Sequence, residues 1–233
     1  MLGWLCWTEK RERAGETTLA GLPVFRAGVL RREGTPEWLL RRRIRAAGRK
    51  LARAGVRRLL WPEGFPYGEL LAGEGILPVD TLPLWQGLAA ELAWRELRRR
   101  GIPPGEGRAA VCAGRLTAEA RRAVEALLRR CPRVALDAPD PGGGFSRALR
   151  RSSGAALLTG NAGADVRILF AQREPSRPGD IPLYPGAAAP EAALRLPEGW
   201  EKRLPEGVCR SQAAAALWAA GRLSLEQIAL ADA

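Results

Sequence analysis

The sequence predicts an α/β protein: a Rossmann-like, mostly parallel sheet flanked by helices, with an N-terminal α/β part and a C-terminal helical tail. Three observations predict it. Between residues 109 and 171, short apolar runs (109–113, 133–138, 155–159, 166–171) alternate with helix-patterned segments, punctuated by turns at Gly114 and at Gly142-Gly143-Gly144. Upstream, helical patterns at 36–54 and 82–100 flank a further apolar run, 56–61. Downstream, seven prolines between 172 and 207, Pro175 among them, interrupt all regularity before a last helical pattern at 209–220 and a capping box at Ser224-Leu225-Glu226-Gln227.

Residues 2–7 and 17–30 have strand composition and are joined by a polar loop, which predicts an antiparallel hairpin or two adjacent strands. Thr35-Pro36-Glu37 reads as a helix start: threonine caps, proline suits the first helical position, and glutamate complements the dipole. Leu40, Ile44, Ala47, Leu51 and Ala54 then share one face, and Arg41, Arg42, Arg45, Arg49, Lys50 and Arg53 take the rest of the cylinder. No aromatic residue interleaves with these arginines, so a solvated basic face is the expectation. The functional alternative is contact with nucleic-acid phosphates through Arg42, Arg45 and Arg49.

Gly55 ends this helix, and 56–61 reads as a buried parallel strand. The loop 62–69 follows that strand's C-terminal end, where α/β sheets place ligands, and this makes Glu63 and Tyr67 candidate catalytic acid/base groups. Residues 75–79 suggest a short strand, Asp80-Thr81 a cap, and 82–100 one long helix closed by Gly101. Ile102-Pro103-Pro104-Gly105 is the expected boundary. The expected domains are therefore 1–102 (α/β), 103–172 (Rossmann-like) and 173–233 (a proline-rich connection and helices packing back on the body).

A dinucleotide site requires G-x-G-x-x-G after its first strand, because glycines let the backbone approach a pyrophosphate at a helix N-terminus. Here the stretch is Gly114-Arg115-Leu116-Thr117-Ala118-Glu119. Only the first glycine is present, and Glu119 opposes a phosphate. Arg115 can pair with one, and Asp137 lies 23 residues after Gly114, where the ribose-binding acid of such folds sits. Gly114, Arg115 and Asp137 are thus the candidate cofactor-binding residues, with NAD(P) as the cofactor they imply. The Gly142-Gly143-Gly144 run lacks a following G-K-[ST] and reads as a turn. Cys112, near the end of a central strand, reads as a buried structural thiol. The layout is similar to that of two-domain NAD(P)-dependent oxidoreductases of the shikimate dehydrogenase kind; the resemblance is one of layout, and no lysine–aspartate pair matches that family's.

Composition excludes more than it assigns. The 233 residues include no histidine, which removes Ser-His-Asp and Cys-His nucleophiles and histidine zinc sites. Four cysteines far apart, with no C-x-x-C, predict neither a metal site nor a disulfide framework. No apolar run reaches the ~18 residues of a membrane span, and the N-terminus lacks the basic region of a secretory signal, so no membrane association and a cytoplasmic location are expected. The net charge of +12 is carried by 37 basic residues, only three of them lysine. Residues 1–102 hold 19 basic and 11 acidic residues against 18 and 14 in the remainder, so the excess leans toward the first half. The leading expectation is a binding, regulatory or scaffold component with a protein partner and no intact dinucleotide fingerprint. The alternatives are a cryptic NAD(P)- or nucleotide-dependent enzyme, and a nucleic-acid contact protein using the basic helix 36–54.

Overall fold

A computed structural model describes residues 1–173 and 177–231; Pro175 lies outside them. Contacts divide the chain into two compact units, 1–81 with 194–229 and 82–193 with 230–233. Each is built on a five-stranded, mostly parallel sheet flanked by helices, a Rossmann-like α/β arrangement.

The first unit begins with β1 (Leu2–Thr8), β2 (Gly15–Leu19), β3 (Leu22–Leu30), α1 (Glu37–Arg53), β4 (Arg58–Leu60), α2 (Gly68–Ala72) and β5 (Leu77–Pro78), in the sheet order β2-β3-β1-β4-β5. β1 runs parallel to both β3 and β4, with Leu2 opposite Val24 and Arg58. The strands read at 2–7 and 17–30 are therefore adjacent but do not form the hairpin with each other. The hairpin lies within 15–30, where Ala20 (φ 49°) and Gly21 (φ 81°) supply the two positive-φ residues of a tight two-residue loop. The helix start also differs from expectation. Pro36 occupies the cap position, while the Thr35 hydroxyl accepts the Arg32 N–H (2.9 Å) and donates to Arg32 O (2.7 Å), closing the turn before it. Leu5, Ile44, Leu51, Leu59 and Ile76 are fully buried between α1 and the sheet. Gly3 permits this approach, since a Cβ there would lie 2.6 Å from Val56 Cγ1 and 2.8 Å from Leu59 Cδ1.

The second unit comprises α3 (Leu82–Gly87), α4 (Ala89–Arg99), β6 (Arg108–Cys112), α5 (Ala118–Leu127), β7 (Arg133–Asp137), α6 (Gly144–Ser153), β8 (Leu158–Thr159), β9 (Val166–Leu169) and β10 (Asp180–Pro182). The expected single helix at 82–100 is two, broken where the Leu88 N–H bonds to Leu84 O and Trp85 O beside the weak helix former Gly87. The sheet order is β10-β9-β6-β7-β8, all parallel. Strand order therefore reverses between β6 and β9, which defines a topological switch point. Alternation places Ala110, Cys112, Ala135 and Leu169 on one face. α4 packs against β9 and α5 against β6 and β7.

The chain then returns to the first unit through α7 (Glu198–Glu201) and α8 (Arg210–Ala219). Trp61 of that unit accepts the Cys209 N–H at its carbonyl (3.1 Å) and donates its own N–H to Gln212 Oε1 (3.1 Å), and the Glu63 N–H donates to Gly207 O (2.8 Å). The capping box forms, with Gln227 Oε1 accepting the Ser224 N–H at 3.0 Å. Among the described residues no helix is long and apolar enough to cross a membrane.

Candidate functional site

The three candidate cofactor residues all sit at the C-terminal edge of the second sheet. Gly114 and Arg115 line a crevice of about 470 Å³ at the β6/β9 switch point, together with Thr117, Glu119 and Phe170. Arg115 also walls a neighbouring crevice of about 460 Å³, opposite Arg121, Asp140 and Phe145. Its position is that of a shared ridge. Gly114 has no positive φ, and a Cβ there would meet only Ala171 Cβ at 3.9 Å, so the local fold does not itself require glycine.

Both helix N-termini at this edge are occupied by the chain's own acids. The Thr117 hydroxyl caps α5 by accepting the Ala120 N–H at 3.3 Å. Glu119, in the first turn, has its carboxyl held below the usual range by its own backbone N–H and by the Thr117 hydroxyl. At α6, Asp140 accepts the backbone N–H groups of Phe145 (3.1 Å) and Ser146 (3.0 Å) and the Ser146 hydroxyl (2.7 Å), and these bonds lower its pKa. Gly142 and Gly143 adopt positive φ to let Asp140 reach those amides. The glycine run is a capping turn, and the positive dipole ends are already neutralised.

Asp137 is likewise engaged. Its carboxylate takes the Arg173 guanidinium at 2.6 Å and the Asn161 amide, and its carbonyl takes Arg173 Nη2 at 3.2 Å. Asn161 in turn accepts from Arg177 (3.0 Å). A ribose hydroxyl at Asp137 would compete with Arg173 and Asn161. Beneath this network lies Cys112, fully buried, its thiol pushed up first by desolvation and then by the Asp137 charge. Composition alone does not reveal Asn161, Arg173 and Arg177, because the loops carrying them are irregular.

In the first unit, Glu63 and Tyr67 follow β4 but are not brought into a pair. Glu63 is exposed. The Tyr67 hydroxyl donates to Glu37 Oε2 at 2.8 Å, and this bond raises the phenol's pKa. Its ring joins an aromatic cluster with Trp7, Trp61 and Phe65, at centroid distances of 5.3 to 6.4 Å. Tyr67 thus anchors the first turn of α1.

That helix carries the most exposed aromatic among the described residues. Trp38 is 65% exposed. At ~100° per residue it shares a face with Arg41, Arg42, Arg45 and Arg49, three, four, seven and eleven positions on. No ring interleaves with the arginines themselves; Trp38 stands on their face one turn before them, outside the run where an interleaved ring would fall. Arg41 and Arg49 each have a loose carboxylate neighbour, Glu37 and Glu74, at 3.8 Å. Arg42 and Arg45 are exposed and have no ion-pair partner among the described residues. Among those residues no cluster of three or more His, Cys, Asp or Glu could hold a metal ion.

No protein-family model matches the sequence, and no curated protein matches it significantly.

Proposed function

We propose that this is a binding protein without chemistry of its own, whose Rossmann-like sheets serve as scaffold and whose α1 contacts nucleic acid. One observation carries the reading: an exposed tryptophan and four arginines share a single helix face. Arginines neutralise phosphates, and an exposed ring offers a π-face to a base. Trp38 is exposed on that face, so its ring is open to such a stack. The self-capped α5 and α6 and the Arg173-paired Asp137 weigh against a dinucleotide. The four cysteines are free, which suits the reducing cytoplasm.

The test is fluorescence anisotropy with a labelled 20-nucleotide RNA or DNA across a salt series. Binding weakens steeply with salt. The triple variant Arg42→Gln, Arg45→Gln, Arg49→Gln lowers the slope of log K against log salt by about 2, at ~0.7 per lost contact on a single strand. Trp38→Ala weakens binding roughly 5- to 150-fold, the range of one base–aromatic stack. Salt-independent binding, or affinity indifferent to these changes, would sink the reading.

A second reading rests on Arg115, which lines both switch-point crevices. It places a nucleotide or NAD(P) there and predicts a thermal shift of several degrees at saturating ligand, lost in Arg115→Ala. The proposal above predicts no such shift.

A further inference from the structure

On its other flank, α1 forms one wall of a groove of about 910 Å³ within the first unit. The floor is apolar: Phe25, Ala27 and Val29 of β3 face Ala46 and Ala47 of the helix. Small residues at 46 and 47 leave this space open, where longer side chains would reach the sheet. The Phe25 ring is half-buried and has no ring partner among the described residues. Both rims are cationic, with Lys50 and Arg53 on the helix and Arg11 and Arg13 on the loop between β1 and β2. These four are exposed and without an ion-pair partner among the described residues. Of the loop's two acids, Glu9 is not part of the groove lining and Glu12 pairs with Arg26 at 2.7 Å, while Arg43 donates to Leu30 O at 2.8 Å.

The groove continues the α1 stripe. At ~100° per residue Arg53 follows Arg42 around the helix, then Lys50, so one positive surface passes from Trp38 into the groove. We infer that the groove takes the unpaired bases of a single-stranded nucleic acid, whose phosphates run along the arginines of α1 and the 11–13 loop. The inference rests on the nucleic-acid reading of α1. Charge complementarity names the occupant: an apolar floor with one available ring between two cationic rims suits a strand whose bases can turn inward. Paired bases stacked within a duplex cannot enter.

The experiment is anisotropy with a fluorescent 12-nucleotide oligo-U, the matching oligo-dT and a 12-base-pair duplex at equal salt. Single strands bind about tenfold tighter than the duplex or better, the value of a stacked base. Ala46→Trp, which fills the groove, cuts that preference severalfold, down to what Trp38 alone supplies, while duplex affinity through Arg42 and Arg45 persists. The pair Arg11→Glu and Arg13→Glu lies in an exposed loop, so it tests the rim even if the packed variant fails to fold; it weakens single strands selectively. A preference undiminished in both variants overturns the inference and leaves the α1 reading standing, with Trp38 as the source of the preference; equal affinity for strand and duplex overturns the inference together with the stacking role of Trp38. Displacement of the oligonucleotide by equimolar UMP also overturns it, since the groove would then be a mononucleotide site. Binding of neither probe at low salt removes the α1 reading itself and the inference with it.

Discussion

Arg167 and Asp180 illustrate how much the second sheet asks of single residues. Their side chains are 8% and 3% exposed, and the guanidinium meets the carboxylate at 2.6 and 2.5 Å through two nitrogens. Asp180 also accepts the Arg177 N–H at 3.0 Å, which orients the segment entering β10. Breaking a buried, bidentate pair from one side is costly, so Asp180→Ala should destabilise by about 3 kcal/mol. Denaturant titration measures this, and a loss under 1 kcal/mol would show the pair to be solvated. Gly179, just before it, has φ 89°, and a Cβ there would stand 2.5 Å from the Asp165 carbonyl, so no other residue fits that turn. Neither feature is legible in sequence, where Arg167 interrupts an apolar run and Asp180 follows a Pro-Gly turn.

At the scale of elements, the acids that cap α5 and α6 determine behaviour at low pH. The folded pKa values of Glu119 and Asp140 are lowered, so the stability they contribute is fully present above the unfolded values near ~4 and is lost as pH falls through the folded ones. Asp140→Ala should cost about 1 kcal/mol at pH 7, the usual worth of a helix cap, and the gap to the parent protein should narrow below about pH 4. Thermal melts at both pH values check it; a gap that is unchanged at low pH contradicts the assignment. Capping is local, so a threonine two residues ahead of Glu119 is legible as a helix start, and so is the conflict between Glu119 and a phosphate. The division of 82–100 into α3 and α4 is not, since the apolar stripe runs on across Gly87 and Leu88 and periodicity is blind to a break that keeps phase.

At the scale of the whole molecule, the first unit is discontinuous: it is closed by residues 194–229. Gln212 to Leu217 of α8 are all buried, and Trp61 depends on Gln212 and Cys209 for its backbone partners. A chain ending at Ala193 should therefore lose the cooperative unfolding of this unit. Leu217 alone contributes ~1.5–3 kcal/mol on burial, against a total stability of only ~5–15 kcal/mol for a domain. Near-ultraviolet circular dichroism and calorimetry would report the loss; an unchanged transition would mean that 1–81 folds by itself.

Periodicity, caps and glycine spacing act over a few residues, and the α/β class, most strands and helices, the basic face of α1 and the broken dinucleotide fingerprint follow from them directly. The parallel pairing of β1 with β3, the switch point between β6 and β9 and the engagement of Asp137 by Arg173 arise only in the folded chain. So do the groove beside α1 and the exposure of Trp38. Strand order and ion pairing join residues tens of positions apart, and the exposure of a ring depends on what the rest of the chain brings to cover it. Such relations exist only once the chain has closed on itself.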